Sequence, residues 1–245
     1  MSFLRDLRVV IGKEWTELRG SDSPWVTVST LVAFVAIVGV FVPWQLGPVW
    51  IRAPWPILIW AWIPLFIVTT VTADSVAGER ERRTLETLLA TRLSDAAILW
   101  GKWLACVLWI WAAMLICFPV AILTINLTGS GELLLPGPGQ TIGTLAVAFA
   151  GAGLGAAAGV LVSLRSESVR HAQQVLAIGA LVFAFIPIGM LRVLPRDWMM
   201  TLFQSLAYGS PAASAWTTAG ALSALSLPIL VVAQARFRRG RIALK

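Results

Sequence analysis

Charged residues are scarce in this chain of 245 residues, and their scarcity excludes most soluble folds. Only 13% of the residues are charged, against about a quarter in a typical soluble domain, while 58% are apolar. The apolar residues stand in long runs that a water-facing helix does not tolerate, and the mean hydropathy is +0.82. The composition therefore predicts a membrane protein and argues against intrinsic disorder.

Cysteine and histidine are nearly absent. The two cysteines, Cys106 and Cys117, share one apolar run. A helix would hold them about 16 Å apart at about 1.5 Å per residue, which is beyond disulfide reach. We expect both to be small core residues. With the single histidine His171 and no cluster of Cys and His, the sequence offers no transition-metal site.

Motifs for nucleotide binding and catalysis are missing as well. Neither Gly12-Lys13 nor Gly101-Lys102 has the preceding glycine that a Gly-x-x-x-x-Gly-Lys-Ser/Thr phosphate loop requires. The chain also has no His-Glu-x-x-His motif and no Gly-x-Ser-x-Gly motif. We therefore expect no catalytic residue, no metal and no cofactor bound by this chain, and we do not predict an enzyme.

Long apolar runs predict an all-α membrane protein with six transmembrane helices. A crossing takes roughly 20 residues, and six stretches are long and apolar enough. They are 25–43, 56–73, 96–124, 141–163, 173–191 and 212–234. We expect one transmembrane domain over 1–245, with an amphipathic helix in 1–24, a bundle in 25–235 and a basic tail in 236–245. The segment 192–211 reads either as a connection or as a re-entrant helix.

The distribution of basic residues predicts the orientation. The formal net charge is +7, which in a membrane chain reflects topology and gives no reason to expect nucleic acid as a partner. Of the 19 Lys and Arg residues, only Arg52, Arg192 and Arg196 fall on the side of the predicted bundle opposite the termini. The positive-inside rule therefore predicts that both termini are cytoplasmic and that the chain lies in the cell membrane.

The N-terminal segment has helical periodicity. Apolar residues recur at helical spacing with charges between them, as in an amphipathic helix lying on a membrane surface. The apolar positions are Phe3, Leu4, Leu7, Val10, Ile11, Trp15 and Leu18.

Small residues line one face of the fourth predicted span. Gly151, Gly155 and Gly159 are four residues apart, so another helix can approach that face closely. The spacing does not indicate whether the approaching helix belongs to the same chain or to a second subunit.

The most informative segment lies between the second and third predicted spans. After Gly78 a helical pattern begins, with opposite charges four residues apart at Glu79 and Arg83 and at Arg82 and Glu86. Ser94 or Asp95 would then cap the third span. On pattern alone, this segment is equally well explained as a solvated amphipathic helix or as a docking element.

The residues Gly78-Glu-Arg-Glu-Arg-Arg-Thr-Leu-Glu-Thr-Leu-Leu-Ala-Thr91, followed by Gly101-Lys102, resemble the hallmark of type-2 ATP-binding-cassette (ABC) transporter permeases. The match is contiguous and lies at the expected place between the second and third of six spans. It covers the layout of the whole chain but only about thirty residues in specific sequence. Arg92 stands where many members have proline, which leaves the end of the helix undefined.

The resemblance implies a cytoplasmic coupling helix over 79–89, the coupling segment, which docks in a groove of a separate ATPase subunit. The implied docking residues are Glu79, Arg80, Glu81, Arg82, Arg83, Thr84 and Glu86. Leu85, Leu88 and Leu89 would pack the helix against the membrane domain. Lys102, next to Gly101, would snorkel to the inner interface and anchor the third span. Lys13, Glu14 and Glu17 would lie on a connecting helix that touches the coupling segment.

The resemblance also implies partners and a function. The chain would be a permease subunit, mostly in exporters, with ATP and Mg²⁺ bound in the partner ATPase and with a second permease copy or paralogue beside it in the lipid. Two alternatives stay open at this point: a six-span transporter or channel without an ATPase, and an assembly protein that has the permease fold without transporting. The substrate does not follow from the sequence.

Overall fold

The computed structural model describes residues 3–20, 24–82, 91–129, 133–166, 168–193 and 208–237, and isolated positions between 195 and 204. These residues form helices and no strands, which confirms the predicted all-α fold. Most of the coupling segment, 83–89, lies outside the described residues, as do the tail from 238 onward and most of 194–207.

Helix α1, Phe3–Gly20, precedes the bundle. The first membrane-crossing helix follows as α2 (Pro24–Val35), a π-helical segment (Ala36–Phe41) and α3 (Val42–Leu46). A short helix α4, Val49–Arg52, leads to the second crossing.

The second crossing is one uninterrupted helix that reaches further than its apolar run. It consists of α5 (Ile57–Ala73), a π-helical segment (Asp74–Gly78) and α6 (Glu79–Glu81). The helical pattern predicted to start after Gly78 begins inside this helix, since Gly78 itself has helical φ and ψ of −64° and −40°. Residues 79–81 of the coupling segment therefore extend the second crossing, and the rest of the predicted coupling helix, 83–89, lies outside the described residues.

The remaining helices are α7 (Asp95–Thr128), α8 (Pro138–Ser163), α9 (Val169–Val193) and α10 (Pro211–Arg236). Ser94 caps α7, as one of the two predicted candidates, by accepting a hydrogen bond of 3.2 Å from the Ala97 amide. With 34 residues, α7 is about 51 Å long at about 1.5 Å per residue, well beyond the hydrocarbon core of about 30 Å.

Five helices of the described residues are long and apolar enough to cross a membrane. They correspond to the first, second, third, fourth and sixth predicted spans. The fifth predicted span forms the 25-residue helix α9, and a total of six crossings stays a prediction.

The glycines of α8 face another crossing of the same chain. A Cβ on Gly151 would collide with the carbonyl oxygen of Ala61, and one on Gly155 with that of Leu65. A Cβ on Gly159 would collide with the hydroxyl of Thr72. Glycine therefore allows α8 and the second crossing to approach backbone to backbone over two turns, which is the packing expected of small residues four apart.

The π-helical segment of the first crossing is fixed by α7. The carbonyl of Gly39 accepts a hydrogen bond of 3.1 Å from the Thr124 hydroxyl. A Cβ on Gly39 would lie 3.1 Å from Cγ1 of Val120, so α7 also approaches this backbone closely. Such segments are rare and occur mostly as single turns within α-helices.

Replacing Gly155 with alanine should destabilise the bundle by about 1–3 kcal/mol, because the new methyl group forces two backbones apart. Thermal unfolding of the purified protein in detergent measures this effect. Gly179→Ala in α9 is the matched control, since nothing lies within 4 Å of its Cβ position and alanine favours a helix. Equal melting temperatures for the two variants would contradict the packing described here.

Candidate functional site

The candidate site lies at the end of the bundle where α1 crosses α7 and the end of the second crossing, which the charge distribution predicts to be cytoplasmic. One stripe of α1 is buried there, formed by Asp6, Val10 and Glu14 at intervals of four residues. Val10 lies against Gly101 of α7, where a Cβ would be only 2.6 Å from Cγ1 of Val10. Trp15 adds an edge-to-face contact with Trp109 at 5.9 Å between ring centroids.

Lys102 is the most deeply buried charge of the site, with 1% of its surface exposed. Its Nζ lies 2.6 Å from Glu14 Oε1 and 3.0 Å from Glu79 Oε1. The same Nζ donates to the carbonyl of Ser75 at 2.8 Å, in the π-helical segment. Lys102 was expected to snorkel to the aqueous interface, and this is wrong, because two carboxylates and a carbonyl bind its ammonium inside the protein.

Lys13 completes the same group of charges from the solvent side. Its Nζ lies 2.5 Å from Glu79 Oε1 and 3.0 Å from Glu17 Oε1. Burial by itself would lower the pKa of Lys13. The hydrogen bonds to Glu79 and Glu17 and the negative charge of Glu14 together have a larger effect in the opposite direction, so the pKa is raised well above its ordinary value of 10.5. Because the pKa of Lys13 is higher in the folded protein than in the unfolded chain, protonated Lys13 stabilises the fold at neutral pH. This stabilisation is lost only at a pH above 10.5, as the pH rises through the pKa of the folded protein.

We call Lys13, Glu14, Glu17, Glu79 and Lys102 the ionic junction. It joins three elements that are distant in sequence: α1, α6 and α7. Three carboxylate oxygens of the junction, one each from Glu14, Glu17 and Glu79, lie within 4.8 Å of one another, which is a spacing found in metal sites. The ammonium groups of Lys13 and Lys102 lie among these oxygens and offset two of the three carboxylate charges, which leaves the cluster with a formal charge of −1.

The next two residues of α6 bind different elements. Arg80 donates to the carbonyl of Ser166 at 2.6 Å and to that of Leu164 at 3.2 Å, just beyond the end of α8. Glu81 accepts a hydrogen bond of 3.0 Å from the amide of Val169, the first residue of α9. Residues 79–81 therefore connect the second crossing to α1, α7, the end of α8 and the beginning of α9.

Arg82 is the last described residue before the gap at 83–90, and its side chain is 62% exposed. It forms an ion pair of 3.3 Å with Asp74, which is itself 46% exposed. Exposed pairs of this kind contribute little to stability, so Arg82 is available to a partner.

The structure thus separates the predicted site residues into groups. Of the three connecting-helix residues, Lys13 contacts the coupling segment directly, through Glu79. Glu14 binds Lys102, which in turn binds Glu79, and Glu17 binds Lys13. Glu79 itself is 6% exposed and binds inward. Gly101 makes room for α1. The predicted residues Arg83, Thr84, Leu85, Glu86, Leu88 and Leu89 lie outside the described part of the chain.

The sequence did not predict that Glu79 binds the ammonium groups of Lys13 and Lys102 inside the protein. It also did not predict the contacts of Arg80 and Glu81 with the residues between α8 and α9. One signal was present: Lys102 lies within an apolar run, and a lysine is almost never fully buried unless it is paired. Its carboxylate partners, however, are 88 and 23 positions away in the sequence, and no local spacing identifies them.

Comparison with known proteins identifies a family. The family model described as "ABC-2 family transporter protein" matches residues 57–241, which is three quarters of the chain and includes every helix from α5 onward. No curated protein matches the chain.

Replacing Lys102 with methionine should destabilise the protein by about 3–5 kcal/mol, because it leaves buried carboxylates without their cation. Chemical unfolding in detergent measures this. The double variant Lys102→Met/Glu14→Gln should recover part of the loss, since it removes one of the uncompensated charges.

The matched control is Arg82→Gln, which removes an equal charge from an exposed pair and should change stability by no more than about 0.5 kcal/mol. A loss for Lys102→Met that is as small as the loss for Arg82→Gln would contradict the buried junction.

Proposed function

The chain belongs to the ABC-2 family of transporter proteins, and we propose that it is a permease subunit driven by a separate ATPase that docks on the coupling segment. The family is a membrane transport component and not itself the ATPase. ATP and Mg²⁺ then bind in the partner, and the permease converts the partner's movement into a change in the membrane bundle. The expected direction is export.

The docking surface is formed by the exposed part of the coupling segment. Glu79 has its carboxylate within the ionic junction, so we assign it to holding the segment in place and not to contact with the ATPase. Arg82 is exposed next to it. Arg83, Thr84 and Glu86 complete the proposed docking surface on the basis of the sequence motif.

Transmission of movement requires a stiff connection between the docking surface and the spans. The buried contact of Glu79 with Lys102, at 3.0 Å, is the observation that carries this proposal. It ties the beginning of the coupling segment to α7, while α6 continues the second crossing without a break. A displacement of the segment would therefore tilt both crossings together and not be absorbed in a flexible loop.

The proposed orientation follows from charge. Both termini and the coupling segment lie on the cytoplasmic side of the cell membrane, where the ATPase binds, according to the positive-inside rule. On this orientation α1 lies at the inner surface. Leucines exposed on α7, such as Leu123 and Leu127, contact lipid.

A second permease copy or paralogue is proposed to contact α9. Four exposed apolar residues of α9 share one face at helical spacing. They are Ile178, Leu181, Val182 and Phe185, each more than half exposed. Packing of this face against an equivalent helix would place a pathway between two permeases, which one bundle of this size has little room to contain.

Arg82→Glu should weaken binding of the ATPase about tenfold, equivalent to about 1.4 kcal/mol, because the change introduces like-charge repulsion or removes a favourable charge contact. The measurement is co-purification and ATPase stimulation by the permease in lipid nanodiscs, with a phosphate-loop ATPase from the neighbouring genes. Arg8→Glu, an equal charge change at an exposed residue of α1, is the control and should bind normally. Transport by the purified permease with no ATPase present would refute the proposal.

Single cysteines at Ile178, Leu181, Val182 and Phe185 should form disulfide-linked permease dimers under mild oxidation in membranes. Gel electrophoresis without reductant detects the dimer. Leu123→Cys, on the exposed face of α7, is the control and should stay monomeric. The native Cys106 and Cys117 are fully buried and should not contribute. Absence of a dimer from all four positions would exclude a contact between the α9 helices of two identical copies.

A further inference from the structure

A second cytoplasmic element is attached to the beginning of the coupling segment. Residues 164–168, the second cytoplasmic loop, connect α8 to α9. Within it, Ser166 is 2% exposed, and its hydroxyl donates to the Val162 carbonyl at 3.1 Å. Ser168 caps α9 by accepting from the His171 amide at 3.1 Å. Ser166 and Ser168, two described residues of the loop, are therefore held by hydrogen bonds to α8 and α9 close to the contacts made by the coupling segment.

Arg80 and Glu81 bind the two ends of this loop with matching charge. The guanidinium of Arg80 lies at the carbonyl end of α8, where the helix dipole favours a cation. The carboxylate of Glu81 lies at the amide end of α9, where the dipole favours an anion. Exchanging the two charges would make both contacts unfavourable. We call this pair and its contacts with Leu164, Ser166 and Val169 the Arg80–Glu81 bridge.

Apolar packing beneath the bridge joins the same elements. Ala73 and Ala77 of the second crossing form a buried cluster with Ala172 and Leu176 of α9. A Cβ on Gly78 would lie 3.6 Å from Cγ2 of Val169. The second crossing, the end of α8 and the beginning of α9 are thus in direct contact, with small residues that allow little independent movement.

We propose that Arg80 and Glu81 are positioning residues that make the second cytoplasmic loop move with the coupling segment, so that movement reaches α9 directly and not through α7. This inference rests on the proposed function, since it assumes that the ATPase acts on the coupling segment. It adds a second route of transmission. The ionic junction carries movement to α1 and α7, and the Arg80–Glu81 bridge carries it to the α8–α9 pair, whose outer face is the proposed contact with the second permease.

Electron paramagnetic resonance distance measurements on the permease in nanodiscs test the bridge itself. Spin labels on Arg82→Cys and Arg165→Cys, both exposed, report the separation of coupling segment and loop. The wild-type background should give one narrow distance peak, and Arg80→Gln/Glu81→Gln should broaden it. Arg80→Lys, which keeps the charge but not the two-pronged geometry, should give an intermediate width. Arg170→Gln, an exposed charge at the beginning of α9, is the control and should leave the peak narrow.

The unlabelled variants test what the bridge does. Arg80→Gln/Glu81→Gln should still co-purify with the ATPase but lose most of the stimulation of ATP hydrolysis that the wild-type permease produces. A peak as narrow as in the wild-type background, or full stimulation by the double variant, would overturn the inference. Failure of the wild-type permease to bind any ATPase would instead overturn the proposed function, while the peak width would still decide whether the bridge exists.

Discussion

The end of the bundle that holds α1 is organised by the need to bury one ammonium group. Lys102 lies on a helix whose neighbouring residues are apolar, and its charge is 1% exposed. Removing such a charge from water is costly unless carboxylates and carbonyls replace the water. Glu14, Glu79 and the Ser75 carbonyl provide this replacement from two other elements. The positions of α1 and of the end of the second crossing follow from that requirement.

Close helix packing makes the same region stiff. The glycines of α8 bring it against the second crossing, and Gly101 brings α1 against α7. Where backbones touch, a helix has no neighbouring side chains that can rearrange to absorb a displacement. The ionic junction and the Arg80–Glu81 bridge lie at the end of this packed region. A force applied at residues 79–82 therefore meets a connected body and not a set of independent helices.

Features set by local sequence could be predicted, and features set by distant pairing could not. The apolar runs predicted the helices, apart from the extension of the second crossing beyond 73 to Glu81, and the cap of α7 is Ser94, one of the two predicted candidates. The stripe of Gly151, Gly155 and Gly159 predicted close packing but not its partner, because spacing describes one helix only. Snorkelling of Lys102 was the reasonable local expectation for a lysine near a membrane interface. It failed because Glu14 and Glu79 approach only through the tertiary fold.

The π-helical segment at Asp74–Gly78 has a consequence for the direction in which α6 presents its side chains. Each residue added to a helix turns everything beyond it by about 100°. The wider turn of this segment thus sets the rotational phase of residues 79–81. Had the same five residues been α-helical, residues 79–81 would be turned by about 100° relative to the second crossing, and the Glu79 carboxylate would no longer face the ammonium of Lys102. The wide turn of this short segment, as much as its composition, determines which charges meet.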